Sequence, residues 1–234
     1  RAPYEGAYEA VVESIAKILA MGGDLTGIRL SFQEYFRKLG TDERNWGKPF
    51  SALLGALQAQ LDYEVPAIGG KDSMSGSFEE IHVPNTLISF AVQTAEKEKI
   101  LVNTMKGGKT SLLILRTERN NGIYEKTSFK ENAAFLKTLT EQGKIISVDT
   151  LKKGFFPTAL NMALGNRVGM ELTRIPSGWA EKDPGRFLLE VAYEDVCGIL
   201  REGQDHSLLV VGKTTDSDGV KYGEAFIPYE EALT

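Results

Sequence analysis

The sequence predicts a mixed fold of the α/β or α+β class, and two observations carry that reading. Segments whose apolar residues recur at helical spacing alternate with short β-branched or apolar runs along the whole chain. The chain has 234 residues and a hydrophobic content of 42%. That is enough for one large domain or two small ones with a real core.

The elements follow in order. Residues 4–21 read as a helix, with Ala7, Ala10, Val11, Ile15, Ile18 and Leu19 on one broad face and Gly22-Gly23 as the stop. Residues 28–32 are a short strand. Residues 35–47 are mixed and charged, and read as a loop or a broken helix. Pro49 then suits a first helical turn. Residues 50–61 follow as a helix with Leu53, Leu54, Leu57 and Leu61 on one side. Residues 65–68 are a strand that runs into a glycine-rich loop, and residues 87–93 are the next strand. Residues 94–109 are lysine-rich, end in Gly107-Gly108 and mark the expected domain boundary. A fresh strand covers 111–115, and Asn120-Asn121-Gly122 is a turn. Residues 130–141 are a helix, 145–148 a strand and 155–164 a second helix, with Gly165-Asn166 as its C-terminal cap. Residues 187–192 and 207–211 are strands. The tail from 221 to 234 is polar and gives no clear pattern.

Composition narrows the function classes. A formal net charge of -5 argues against a nucleic-acid binder held by phosphate contacts. No apolar run approaches the roughly 20 residues that a membrane span needs, and no signal peptide opens the chain. The single cysteine, Cys197, excludes an internal disulfide and a cysteine-based metal cluster, and fits a reducing cytoplasm. Its apolar neighbours predict a buried, inert thiol.

One stretch carries candidate chemistry: Ile68-Gly69-Gly70-Lys71-Asp72-Ser73-Met74-Ser75-Gly76. Glycines let main-chain N–H groups approach an anion closely. Lysine sits on a phosphate as a point charge. An aspartate flanked by hydroxyls is a hard-oxygen set of the kind Mg²⁺ accepts beside nucleotide phosphates. The same residue types also make an ordinary polar turn. The stretch is not a Walker A loop, because the order is Gly-Lys-Asp and no upstream glycine has that motif's spacing.

Gly70-Lys71-Asp72-Ser73-Met74-Ser75 resembles the signature of the phosphoribosylformylglycinamidine synthase family. Phe32-Gln33-Glu34-Tyr35-Phe36, Trp46-Gly47-Lys48-Pro49-Phe50, Val83-Pro84-Asn85-Thr86-Leu87, Phe155-Phe156-Pro157-Thr158-Ala159 and Gly165-Asn166-Arg167-Val168-Gly169 extend the resemblance over nearly the whole chain. The resemblance implies the synthase fold shared with aminoimidazole ribonucleotide synthetase. In that fold a sheet-forming N-terminal subdomain pairs with a second copy, and a C-terminal α/β subdomain follows. Residues 1–106 are expected to be a partial first subdomain, lacking its early strands, and residues 107–234 the second.

The function that the resemblance implies is a glutamine-dependent ligase of purine biosynthesis. It converts formylglycinamide ribonucleotide to the amidine with ATP and glutamine. By that resemblance the chain is a fragment of the second synthase half of the long single-chain form. Its expected partners are the first synthase half and a glutaminase domain. The expected location is cytoplasmic, the fragment is expected to self-associate, and no nucleic acid or membrane is involved. The implied cofactors are ATP or ADP and Mg²⁺. Gly70, Lys71, Ser73 and Ser75 would contact nucleotide phosphates, and Asp72 and Glu13 would hold the metal. The family carries a Glu-x-x-x-Asn pair on the first helix. Glu13 matches the glutamate, but Lys17 stands where the asparagine would be, and an ammonium cannot ligate a metal. Lys17 is also an i,i+4 surface partner for Glu13. This half is an auxiliary nucleotide site in the long enzymes, so no catalytic residue is carried over. The alternative is a structural module that has lost its nucleotide and packs against the catalytic half.

The remaining candidates are weaker. His82 lies near the glycine-rich stretch and reads as an exposed loop residue, and His206 reads as surface. Two distant histidines do not make a zinc site. Lys152, Lys153 and Arg167 bracket the helix at 155–164, whose free N–H groups suit an anion. Bulky Phe155 and Phe156 at its start favour core packing instead. There is no nucleophile-elbow signature.

Overall fold

The computed structural model describes residues 2–232. Residues 1, 233 and 234, which the expected subdomain ranges and the polar tail include, lie outside the described residues. The elements in chain order are α1 (Pro3–Leu19), β1 (Arg29–Tyr35), α2 (Glu43–Tyr63), β2 (Ala67–Ser73), β3 (Ser77–Phe78), β4 (Ile81–His82) and β5 (Thr86–Val92). After a linker come β6 (Thr110–Arg116), β7 (Arg119–Asn120), β8 (Ile123–Tyr124), α3 (Lys126–Glu141), β9 (Ile145–Leu151), α4 (Phe155–Leu164) and β10 (Gly169–Leu172). The chain continues through β11 (Asp183–Ala192), α5 (Val196–Glu202), β12 (Ser207–Thr215), β13 (Gly219–Tyr222), β14 (Ala225–Pro228) and α6 (Tyr229–Ala232).

Two separate sheets organise these elements. One is three-stranded, in the order β2-β1-β5, with β1 parallel to β2 and antiparallel to β5. The other is seven-stranded, in the order β14-β13-β10-β12-β6-β11-β9, and only its β10–β13 pair is parallel. The smaller sheet is built before residue 107 and the larger one after it.

The larger sheet is covered on both faces. Leu113, Leu115, Phe187 and Leu189 pack towards α1 and α3, and Leu112, Ile114 and Leu188 pack towards α4. Its central strands are therefore near-continuous apolar runs. The smaller sheet is covered on one face only. Leu30 is fully buried beneath the helices, whereas Ile88, Phe90 and Val92 alternate onto the other face and are exposed.

Helix α1 joins the two halves. Pro3 opens it, where a missing N–H costs nothing, and Glu5 and Lys17 suit its dipole. It packs on α2, on β5 and on β11, so one hydrophobic core runs from α1 and α2 through to α3 and the larger sheet. Ion pairs reinforce the join: Arg119 reaches Glu9 at 3.0 Å, and Lys137 reaches Asp24 at 3.2 Å.

Three readings of the sequence change here. Helix α2 begins at Glu43, capped by the Asp42 side chain on the Arg44 N–H, so Pro49 lies inside the helix. The leucine face of α2 is not the packed one. Leu53, Leu54, Leu57 and Leu61 are exposed, and Ala52, Gly55, Ala56 and Ala59 are buried. The reason is a close approach of backbones: a Cβ on Gly55 would lie 2.1 Å from the Tyr4 carbonyl oxygen. Only small residues fit such a contact, so the large ones turn outward. Cys197 is exposed, because α5 turns Ile199 inward instead. The cap of α4 is at Gly165 as expected, and the left-handed residue, Arg167 with φ of 51°, comes two positions later.

Other elements match closely. Helix α4 spans Phe155–Leu164. Asn121 and Gly122 both have positive φ, 50° and 84°, which is the two-residue turn that joins β7 to β8. The polar tail is ordered through Tyr229, which is fully buried and donates its hydroxyl to the Val168 carbonyl.

Candidate functional site

The glycine-rich stretch is a strand, not a loop, as far as Ser73. It pairs in register with β1, matching Phe32 to Gly70, Gln33 to Lys71 and Glu34 to Asp72. Gly70 serves this pairing: a Cβ there would lie 2.7 Å from the Phe32 carbonyl oxygen, whereas one on Gly69 would meet open space. Strand β2 lies at the edge of its sheet, so its outer backbone groups have no strand partner there.

A strand alternates its side chains, and this separates the two main candidates. Asp72 shares the helix-side face with Glu34 and Leu30, and Lys71 points to the bare face beside Gln33 and Ile88. Both are exposed. Both residues nevertheless line one groove at the free edge of β2. Ser73 is half-buried at the end of the strand, and Ser75 is exposed in the bend beyond it.

On the helix side, Asp72 and Gly70 line an open groove of about 420 Å³ together with Phe32, Glu34, Leu53, Gln60 and Lys71. Glu34 is the unexpected member. It is 9% exposed, and its Oε1 is buried without a hydrogen-bond partner among the described residues. Burial, and then the nearby Asp72 carboxylate, hold its carboxyl above the ordinary glutamate range. The sequence signal was present but quiet: Leu30, Phe32 and Glu34 alternate, so a carboxylate occupies an inward position.

Glu13 lies elsewhere. It is on α1, and its Oε1 is 2.6 Å from the Lys17 ammonium. Lys17 lines a second cleft, of about 470 Å³, between α1, residues 101–104 and the end of β9. There Asp149 is paired with Lys152 at 2.8 Å. The carboxylate that lines this cleft, Asp149, and Glu13 beside Lys17 are thus each paired from within the chain. Among the described residues no three His, Cys, Asp or Glu side chains come together as a metal-binding group. Glu13 as placed does not fit a metal, since its charge is already met by Lys17. Asp72 does fit as one hard ligand, with Glu34 beside it.

The helix α4 start is a packed corner. Phe155 is fully buried, its N–H donates to the Trp179 carbonyl at 2.7 Å, and Phe156 meets the Trp179 ring edge-on. Arg167 is paired with Asp218. His82 is exposed, with Nδ1 2.9 Å from the Ser77 hydroxyl, and His206 is half-buried and stacked on Phe135. Among the described residues no helix is long and apolar enough to cross a membrane.

Comparison with known proteins gives the architecture a family context. No protein-family model matches the chain. The phosphoribosylformylglycinamidine synthase subunit PurL of Rhodopseudomonas palustris (strain BisB18) is 23% identical over 252 residues, covering 91% of this chain and 32% of that protein. Thermotoga maritima PurL complexed with FGAR superimposes with a TM-score of 0.75 at 13% identity, over 98% of this chain and 43% of the other. The same protein complexed with AMPPCP gives 0.74 at 16% identity, over 98% and 41%. Thiamine monophosphate kinase of Aquifex aeolicus gives 0.65 at 13% identity, over 97% and 83%. The chain spans about a third of the length of the curated relative. It is similar throughout to one half domain of PurL, and it has the fold that PurL shares with thiamine monophosphate kinase.

Proposed function

We infer that the chain is a synthase-like half of a phosphoribosylformylglycinamidine synthase, a glutamine- and ATP-dependent ligase of purine biosynthesis. In this reading residues 1–106 and 107–234 are its two subdomains, and the chain supplies an auxiliary nucleotide site rather than the catalytic one. The observation that supports it most is likeness over nearly the whole chain to PurL, including PurL complexed with ATP and ADP. Lys71 would contact phosphate together with Gly70, Ser73 and Ser75, from a ligand astride the β2 edge. Asp72 would hold Mg²⁺. Glu13 would join only if Lys17 released it. The bare face of the small sheet and the leucine face of α2 suit contact with the first synthase half, and in its absence self-association.

The two charged residues separate by experiment in the full-length protein. ADP is titrated by calorimetry with and without Mg²⁺. Lys71→Ala is expected to weaken binding in both conditions. Charge-assisted contacts are worth roughly 1.5–3 kcal/mol, so the loss is about ten- to hundredfold. Asp72→Asn is expected to weaken it only with Mg²⁺ present, because an amide is a poorer ligand for a hard dication.

A second reading has its own observation. The internal pairing of Glu13 with Lys17 and of Asp149 with Lys152, and the buried Phe155, suit a structural module that has lost its ligand. If the protein carrying intact Lys71 and Asp72 gives no heat that either substitution changes, this reading replaces the first.

A further inference from the structure

The geometry points to Glu34 and Asp72 as a two-carboxylate site for one hard divalent cation, set between β1 and β2 on the helix side. The inference deepens the reading of Asp72 as a metal ligand and rests on it, but gives that residue a different companion from Glu13.

Three observations carry it. First, Glu34 and Asp72 are register partners on adjacent parallel strands and share a face. Paired strands lie about 4.8 Å apart, a spacing that lets two carboxylates converge on one ion. Second, Glu34 is nine-tenths buried and lines the same groove as Asp72, and its Oε1 has no hydrogen-bond partner among the described residues. Buried carboxylate oxygens are normally satisfied, so an orphan beside a second carboxylate calls for a positive partner. Third, no lysine or arginine among the described residues pairs with either carboxylate. Lys71 leaves the strand towards the other face and, although it borders the groove, makes no ion pair with either carboxylate.

The contrast with Glu13 sharpens the assignment. Glu13 has its ammonium at 2.6 Å and needs no ion. Glu34 and Asp72 have none. The donor set is all oxygen, which selects Mg²⁺, Mn²⁺ or Ca²⁺ over softer metals. Two carboxylates are enough for Mg²⁺ when water or phosphate completes the shell. Outer carbonyls of the edge strand β2 are within the same neighbourhood and have no strand partner.

The test uses Mn²⁺ as the probe, added to the chain without nucleotide, with binding read from the electron paramagnetic resonance signal of free Mn²⁺. Thermal midpoints in millimolar Mg²⁺ and in chelator form a second readout. One site is expected in the unsubstituted chain. Glu34→Gln and Asp72→Asn are each expected to weaken it by at least about tenfold and to abolish the rise in midpoint that Mg²⁺ gives. Glu13→Gln is expected to change neither. Glu34→Gln keeps the shape of the side chain, and its midpoint in chelator reports whether it folds.

Loss in Asp72→Asn with full binding in Glu34→Gln overturns the pairing and leaves Asp72 as a ligand. Unchanged binding in both variants overturns Asp72 as well. No Mn²⁺ binding, together with a midpoint rise on adding agmatine that Glu34→Gln removes, overturns the metal in favour of an organic cation. Because no nucleotide is present, each result is independent of the ADP titration.

Discussion

The two halves of the molecule each bury a glutamate on a strand, and they treat it in opposite ways. Glu190, on β11 of the larger sheet, is completely buried. It accepts from the Lys106 N–H at 2.9 Å, the Gly107 N–H at 2.9 Å, the Thr110 hydroxyl at 2.9 Å and the Ser147 hydroxyl at 2.8 Å. Glu34, on β1 of the smaller sheet, has an oxygen with no partner among the described residues. The sheets around them differ in the same sense. The larger one is covered on both faces, and the smaller one has a bare face and a free edge. A carboxylate whose acceptor sites are filled by its own chain is an anchor. One left open beside a free edge is a place for something else.

The anchor gives the largest expected effect. Glu190 clamps the linker to β11, next to the edge strand β9 of the larger sheet, where two main-chain N–H groups and two hydroxyls converge on it. Glu190→Ala leaves those donors buried and unpaired. Each such group costs roughly 1–3 kcal/mol, and with partial relaxation the expected total is about 4 kcal/mol. Urea unfolding measures it, and a loss below about 1 kcal/mol would mean that water replaces the clamp.

The bare face gives an effect on association rather than on stability. Phe90 is 50% exposed on a strand whose other face is packed. Phe90→Lys is expected to leave the unfolding midpoint in place, since an exposed substitution usually stays within about 0.5 kcal/mol. It is expected to reduce self-association in sedimentation runs. A large drop in midpoint would show that this face is packed in solution.

Helix α2 repeats the contrast on a smaller scale. Gly55 touches the α1 backbone, and Leu57, two residues on, is 46% exposed. Gly55→Ala forces the two helices apart and is expected to cost about 1–3 kcal/mol, although alanine favours helix. Leu57→Ala is expected to stay within about 0.5 kcal/mol. Equal losses from both would erase the distinction between the two faces.

These contrasts also mark what was legible in the sequence. Helix α4 and the Asn121-Gly122 turn were readable, because periodicity and turn chemistry are local. The packed face of α2 was not, because an apolar stripe ordinarily signals core. Here a tight backbone contact admits only Ala52, Gly55, Ala56 and Ala59. Strand β2 has the composition of a turn, and its strand character comes from pairing with β1, which no local signal records. The phosphate and metal candidates were recognisable as residue types. Their separation onto opposite faces followed only once residues 69–73 were known to be extended.

The smallest expected effect concerns a carboxylate that is satisfied but near the surface. Asp24 accepts from the Thr26 N–H at 2.9 Å and faces the Lys137 ammonium at 3.2 Å, so it ties the first half to α3. The Thr26 hydroxyl hydrogen bond is the largest cause of its shift. Lys137 and the Thr26 N–H add to it against the opposing effect of burial, and the carboxyl is lowered from 3.8 to about 2. A folded-state value below the unfolded one means that the unfolded chain binds the proton more readily. The stabilisation is therefore fully present above about pH 4 and is lost as pH falls through about 2. Asp24→Asn cannot titrate. The difference in urea midpoint between the two proteins is expected to be constant from neutrality to about pH 4 and then to shrink towards pH 2. Taking the difference removes the other carboxylates, which titrate in both proteins. Moderate salt is expected to diminish the Lys137 share and to leave the Thr26 share, because exposed pairs are screened and short hydrogen bonds are not. A difference that stays flat down to about pH 2 would show that Asp24 titrates at its ordinary value, leaving the link to α3 to the buried contacts alone.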